Sequence, residues 1–108
     1  MQEKIKLKTK DEHDIYGTLN TEKKTNKLII FVHGLTGHSN EHIFYNAAQY
    51  FPKKGFDTFR FDLYSGEKGG RRLSESTVKI HAEDLDCVVK HFCKKYDAIH
   101  IIGHSLGG

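Results

Sequence analysis

The chain has 108 residues, enough for one domain or part of one but not for two. Hydrophobic residues make up 37% of it and charged residues 29%, as in ordinary soluble proteins and unlike disordered or membrane-spanning chains. The net charge is only +3, and the lysines are interspersed with acidic residues, so the composition does not predict nucleic-acid binding. No apolar run reaches the roughly 18 residues of a membrane span.

The amino terminus predicts a cytoplasmic protein. Residues 1–14 mix charged and apolar side chains and lack the apolar stretch and cleavage site of a secretory signal. Cys87 and Cys93 are six apart in a predicted helix and would point to different faces. We therefore expect two reduced thiols and no disulfide between them.

Strands are predicted first along the chain. Ile5 and Leu7 alternate with lysines, and a second extended segment covers 15–19, which together predict a hairpin at the edge of a sheet. The continuous apolar run at 28–32 is too short for a helix and rich in β-branched residues. It predicts a strand that is covered on both faces.

A helix, a strand, a second helix and a third strand follow. Ser39 or Asn40 can cap the first helix, and Pro52 and Gly55 can end it. Its apolar side comprises Ile43, Phe44, Ala47, Ala48 and Phe51. Strands are predicted at 58–61 and 98–102. From Ser74, helical spacing places these apolar residues on one side: Val78, Ala82, Leu85, Val89, Phe92 and Tyr96.

This order predicts an α/β fold, in which an amino-terminal hairpin is followed by three parallel strands with crossover helices on the faces of the sheet. In open sheets of this class, function collects in the loops that follow the carboxyl ends of the strands. Three loops meet this condition, at 33–39, 62–72 and 103–108.

The third of these loops reads Gly103-His104-Ser105-Leu106-Gly107 and fits the pattern G-x-S-x-G. In that pattern the serine sits on a strained turn between a strand and a helix, with its hydroxyl raised above the sheet. Glycines flank it because the turn leaves no room for larger side chains. The pattern follows a predicted buried strand, so Ser105 is the candidate nucleophile.

The first loop begins His33-Gly34-Leu35 and could complete an oxyanion hole. A tetrahedral oxyanion needs two hydrogen-bond donors held in place in advance. We expect the backbone N–H groups of Leu35 and Leu106 to converge on one oxygen, and His33 to brace its loop by hydrogen bonds. The alternative is a plain glycine-rich turn.

Three segments, IIFVHGLTG, FDTFRFD and IHIIGHSLGG, resemble the amino-terminal portion of the α/β-hydrolase fold. The chain is most similar to bacterial esterases and lipases that include cinnamoyl and feruloyl esterases and monoacylglycerol lipases. The resemblance implies one partial domain over 1–108, a small ester substrate, and neither metal nor cofactor. It implies Ser105 as nucleophile and Leu35 and Leu106 as oxyanion donors. The supporting positions are His33, Gly34, Gly103, His104 and Gly107.

The sequence departs from the family in two places. Relatives carry an Arg-Gly-His-Gly-like run after the second buried strand, where this chain has Leu63-Tyr64-Ser65-Gly66 after Asp62, so this loop predicts no substrate. In this fold the acid and the histidine of the triad follow the serine. Only Leu106, Gly107 and Gly108 follow it here, so we expect a fragment, truncated at the serine turn and inactive alone.

None of the histidines is a promising base. The side chain of His104 should point away from its neighbour Ser105, while His81, His91 and His100 fall in a predicted helix or strand. A remote alternative is zinc hydrolysis, because His38, Glu41 and His42 fit H-x-x-E-H. The expected cap leaves His38 outside the helix, which argues against a shared face. A thioesterase, a serine peptidase and a non-catalytic module of this fold also remain open.

Overall fold

The computed structural model describes residues 1–33, 42–63, 69–70 and 78–103. A 3-10 helix at Phe51–Lys54 directly follows the first α-helix. The other elements, in chain order, are β1 (Gln2–Lys8), β2 (Asp14–Asn20), β3 (Lys27–Val32), α1 (His42–Tyr50), β4 (Asp57–Phe61), α2 (Val78–Phe92) and β5 (Ala98–Gly103).

The described strands form one sheet in the order β1-β2-β4-β3-β5. The pairs β1–β2 and β2–β4 are antiparallel, while β3 pairs in parallel with both β4 and β5. This confirms the predicted edge hairpin and the three parallel strands. In the described sheet β5 pairs on one side only, so Ile101 and Ile102 are 49% and 43% exposed, although the sequence predicts a buried strand.

The two helices lie on opposite faces of the sheet. The crossover from β3 to β4 runs toward β2 in the strand order, and the crossover from β4 to β5 runs the opposite way. Crossovers between parallel strands are right-handed, so two crossovers that run in opposite directions place their helices on opposite faces. Residues of β3 therefore alternate between two cores. Ile29 and Phe31 pack with Phe44 of α1. On the other face the core includes Leu28, Ile30, Val32, Phe59, Phe61, Val88 and Phe92.

The end of α1 is as predicted. The α-helix stops at Tyr50, and the 3-10 turn carries Pro52 near its start, where the missing N–H of proline costs no helical hydrogen bond. Gly55 follows with φ of 90° and donates its N–H to the carbonyl of Pro52 at 3.2 Å. A left-handed residue in this position favours glycine, which explains why the segment ends there.

The predicted apolar side of the second helix is wrong at Ala82, which is exposed. Val88 is instead fully buried, together with Phe92. Burying a valine and a phenylalanine removes far more apolar area from water than burying an alanine methyl, so the helix is rotated toward the larger side chains. Cys93 lies one residue beyond the end of α2, and Cys87 and Cys93 are both free thiols.

Neither described helix has the length and the apolar character that a membrane crossing requires.

The amino end of β4 is tied to the turn before β5 by a buried hydrogen bond. The Tyr96 hydroxyl donates to Oδ2 of Asp57, and the other oxygen of that carboxylate accepts no hydrogen bond from the described residues. Burial raises the pKa of the Tyr96 phenol, and the hydrogen bond to Asp57 raises it further. The protonated phenol is therefore the form that the folded protein stabilises.

Replacing Tyr96 by Phe is expected to lower the free energy of unfolding by about 2 kcal/mol at neutral pH, because a buried carboxylate loses its donor. The unfolded phenol has a pKa of about 10, and the folded pKa lies above it. The contribution of Tyr96 is thus complete below pH ~10 and is lost as the pH rises beyond that value. Urea unfolding between pH 7 and 11.5 should show a steeper alkaline loss of stability for wild type than for Tyr96→Phe; parallel curves would contradict this.

Candidate active site

The carboxyl ends of three strands lie level at one edge of the sheet. Val32, the last residue of β3, is in register with Phe61 at the end of β4 and with Gly103 at the end of β5. The chain therefore leaves β3 at His33 and β4 at Asp62 along the same edge. The loops at 33–39, 62–72 and 103–108 all start there.

His33 joins the first two of these loops. Its side chain is fully buried, and its Nε2 accepts a hydrogen bond from the backbone N–H of Leu63 at 2.9 Å. The backbone N–H of Asp62, the residue before Leu63, donates to the carbonyl of Tyr16 on β2 at 2.9 Å. The chain after β4 is thus held on both sides, by β2 and by His33.

The loop that follows β4 is also held at its far end. The N–H of Asp14 donates to the carbonyl of Gly69 at 2.7 Å, and Asp14 forms an isolated parallel bridge with Gly70. Gly69 has φ of 82°, and a Cβ atom there would lie 2.2 Å from Oδ2 of Asp14. Glycine is therefore required at this contact with the hairpin.

Most of the predicted site residues lie outside the described residues. Gly103 is the last residue of β5 and His33 follows β3 directly, both at the expected edge. The others, namely Gly34, Leu35, His104, Ser105, Leu106 and Gly107, are not described, and neither are His38, Glu41 and the side chain of His42. Within the described parts of the chain, no three His, Cys, Asp or Glu side chains are grouped as metal ligands would be.

A buried arginine beside this edge was not singled out from the sequence. Arg60 is 2% exposed, donates from Nη1 to Oδ1 of Asn20 at 2.9 Å, and lies 5.5 Å from the ring centroid of Tyr45 on α1. Burial lowers the pKa of its guanidinium, while Tyr45 and Asp62 act in the opposite direction. The signal was present in the sequence, since the charged Arg60 stands between the apolar residues Phe59 and Phe61.

A groove of about 690 Å³ lies between the β1–β2 turn and α2, away from His33 and Gly103. Its charged lining is balanced, with lysines and carboxylates in equal number. Cys87 is its one thiol among the described residues, and burial raises the pKa of that thiol, with Asp84 and Asp86 adding to the effect. A thiol of raised pKa is a poor nucleophile. The groove is therefore a weaker candidate for an active site than the edge formed by the carboxyl ends of β3, β4 and β5.

Comparison with known proteins agrees with this architecture. The family model for the alpha/beta hydrolase fold matches residues 27–108. No curated protein gives a significant match. Among solved structures, the Pyrococcus furiosus esterase Pf2001 superposes with a TM-score of 0.82 at 25% identity, over 99% of this chain and 43% of that one.

Two further structures share the fold at lower identity. Est1E from Butyrivibrio proteoclasticus, with ferulic acid bound, has a TM-score of 0.85 at 23% identity and covers 95% of this chain and 43% of that chain. XC6422 from Xanthomonas campestris, a serine hydrolase without a lid, has a TM-score of 0.79 at 16% identity, over 98% and 51% of the two chains. The chain thus spans about half the length of these structures or less.

The sheet order, the opposed helices and the family match over most of the sequence lead to one conclusion: the chain belongs to the alpha/beta hydrolase fold family.

Proposed function

We propose that residues 1–108 are the amino-terminal part of one α/β-hydrolase domain that hydrolyses carboxylic esters through Ser105. The observation that carries the proposal is the register of β3 with β5, in which Val32 pairs with Gly103. Neighbouring strands are about 5 Å apart, so the loop after His33 and the turn that contains Ser105 start side by side. Two loops that leave adjacent strand ends can act on one substrate atom.

In the proposed reaction, Oγ of Ser105 attacks the ester carbonyl and its proton passes to a histidine. The N–H groups of Leu35 and Leu106 donate to the oxyanion that develops on the carbonyl oxygen. Collapse of the tetrahedral intermediate expels the alcohol, which takes the proton, and leaves an acyl-serine for water to hydrolyse. The reaction needs no metal or cofactor.

The triad's carboxylate and histidine are proposed to come from polypeptide outside residues 1–108. The exposed isoleucines of β5 support this part of the proposal, because Ile101 and Ile102 leave apolar surface at the edge of the described sheet. The short coverage of the solved esterases supports it as well. The active site would then be complete only when residues 1–108 and the polypeptide that supplies the acid and the histidine are both present. We propose that the whole domain is cytoplasmic.

The test uses the complete gene product that contains this chain. We expect it to hydrolyse p-nitrophenyl acetate and butyrate, and a fluorophosphonate to label the peptide that carries Ser105, as located by mass spectrometry. Hydrolysis rates are also measured on a thioester with the same acyl group and on a peptide p-nitroanilide. Faster hydrolysis of the thioester would indicate a thioesterase, and faster hydrolysis of the anilide a peptidase. Labelling at another residue, or no turnover of any of these substrates, would reject the proposal.

A further inference from the structure

We propose that the side of the sheet on which α1 lies binds the surface of an anionic lipid bilayer. We call this side the lysine face, and its exposed cations are Lys4, Lys6, Lys8, Lys27, Lys53 and Lys54. The inference goes beyond the proposed function and does not depend on Ser105, because none of these lysines belongs to the candidate active site.

The register of the sheet places the lysines of β1 on the same side as α1. Lys4 lies opposite Thr18 of β2, and Thr18 lies opposite Arg60 of β4. Residues directly opposite each other in neighbouring strands share one face of the sheet. The guanidinium of Arg60 lies over a tyrosine ring of α1, which identifies that face. Lys6 and Lys8 follow Lys4 at intervals of two residues, so all three point the same way.

Three more exposed lysines lie on this side around α1. Nζ of Lys27 is 5.5 Å from the ring centroid of Phe56, and that ring packs against the core beneath α1. Lys53 and Lys54 belong to the 3-10 helix that directly follows α1. Nζ of Lys54 is 5.6 Å from the ring centroid of Tyr50, the last residue of α1. The lysine face therefore combines the edge strand with the end of the helix.

The fold separates charges that are interspersed in the sequence. Glu3 of β1 falls on the opposite side, because side chains alternate along a strand. Within the described strands and α1, Asp14 is the one carboxylate on the lysine face; its side chain is 13% exposed, with Oδ1 3.4 Å from Nζ of Lys8. Asp62, just after β4, lies near the buried guanidinium of Arg60. On the other side of the sheet, α2 carries three carboxylates and two lysines, so the excess of positive charge is confined to one face.

A bilayer fits this face better than a nucleic acid does. The lysines of β1 span about 14 Å along the strand, and β3 is about 14 Å from β1 across the sheet, so the charge covers an area rather than a track. Tyr45 and Tyr50 on α1 are 48% and 55% exposed, and amphipathic rings of this kind favour the headgroup level of a membrane. Arginine is the preferred residue for nucleic acids, and Arg60, the one arginine among the described residues, is buried.

The test is cosedimentation of the complete gene product with phosphatidylcholine vesicles, prepared with and without phosphatidylglycerol. We expect binding only to the vesicles that contain phosphatidylglycerol. Binding should be lost in about 1 M NaCl, where charges are screened beyond about 3 Å.

Two double variants test the face itself. Lys4→Gln combined with Lys6→Gln should weaken binding by about 30-fold, because each lysine near an anionic bilayer contributes a factor of about five. The matched control is Lys79→Gln combined with Lys90→Gln, which removes the same charge from exposed positions of α2 on the opposite side of the sheet. It should change binding by less than about threefold. Circular dichroism checks that both variants fold as wild type does.

Three results would overturn the proposal. The first is the absence of binding to the anionic vesicles. The second is an equal loss in the two double variants, which would mean that net charge rather than the lysine face drives binding. The third is binding of a labelled single-stranded DNA through Lys4 and Lys6 without binding of the vesicles, which would make the partner a nucleic acid.

Hydrolysis of p-nitrophenyl butyrate without vesicles separates this proposal from the proposed function. Both double variants should hydrolyse this ester as fast as wild type does. Failure of vesicle binding therefore leaves the role of Ser105 untouched, and a wild type that binds vesicles without hydrolysing the ester rejects only the proposed function.

Discussion

Replacing Ser105 by Ala in the complete gene product is expected to lower kcat for p-nitrophenyl butyrate by about 10⁴- to 10⁶-fold. Without Oγ no acyl-enzyme forms, and the oxyanion donors alone can stabilise only the direct attack of water. The residual rate should therefore remain above the uncatalysed one. Steady-state kinetics of the purified variant measures the loss.

The matched control is Ser76→Ala, the same substitution at a serine whose sequence position is outside the loops at 33–39, 62–72 and 103–108. We expect wild-type kinetics from it, and a circular dichroism spectrum from Ser105→Ala like that of wild type. A loss of less than about tenfold would contradict the role of Ser105, because removing a covalent nucleophile has far larger effects. The 108-residue chain alone is expected to show no turnover, because the triad acid and histidine are proposed to lie outside residues 1–108.

The strands and helices could be predicted because each has a simple hydrophobic period. The apolar run at β3, the breaking residues Pro52 and Gly55, and the helical spacing of α2 all depend on neighbours in the sequence. The parallel direction of β3, β4 and β5 could be predicted because the crossovers are long enough for parallel pairing, whereas the order of the strands in the sheet could not. The predicted bounds differ from the observed strands by a residue or so, which is where local signals are weakest.

The individual partners could not be predicted in the same way. His33 was expected to brace a loop, but its acceptor role toward Leu63 depends on how β3 and β4 align across 30 residues. The bond between Tyr96 and Asp57 spans 39 residues and has no local pattern. The rotation of α2 toward Val88 likewise depends on the sheet it packs on, because the helix offers apolar side chains over a wide arc.

The packing of Phe59 against a glycine is a further contact that only the assembled sheet reveals. A Cβ atom built on Gly17 of β2 would lie 2.4 Å from Cζ of Phe59. The phenyl ring therefore occupies the space that a side chain at Gly17 would need. Its centroid lies 4.9 Å from that of Phe92 on α2 and 6.0 Å from that of Phe61, so one ring joins two strands and a helix.

Replacing Phe59 by Ala is accordingly expected to lower the free energy of unfolding by about 3–5 kcal/mol, because it removes a fully buried ring and leaves a cavity beside Gly17, which has no side chain to fill it. A small domain is stable by only about 5–15 kcal/mol, so the loss is a large share of the total. The control is Phe56→Ala, three residues earlier, whose ring is only partly buried against Phe51 and beside His100. It should cost much less.

Urea unfolding of the two variants and of wild type, followed by circular dichroism, measures how much each substitution lowers the free energy of unfolding. The midpoint of Phe59→Ala should fall well below that of Phe56→Ala with a similar slope. Equal losses would mean that Phe59 does not join β2, β4 and α2 as described. Because β4 also carries Asp62 and Leu63 to the candidate site, a weakened Phe59 core should reduce protection of the Leu63 amide from hydrogen exchange. The same buried ring thus supports both the fold and the edge from which the proposed chemistry is built.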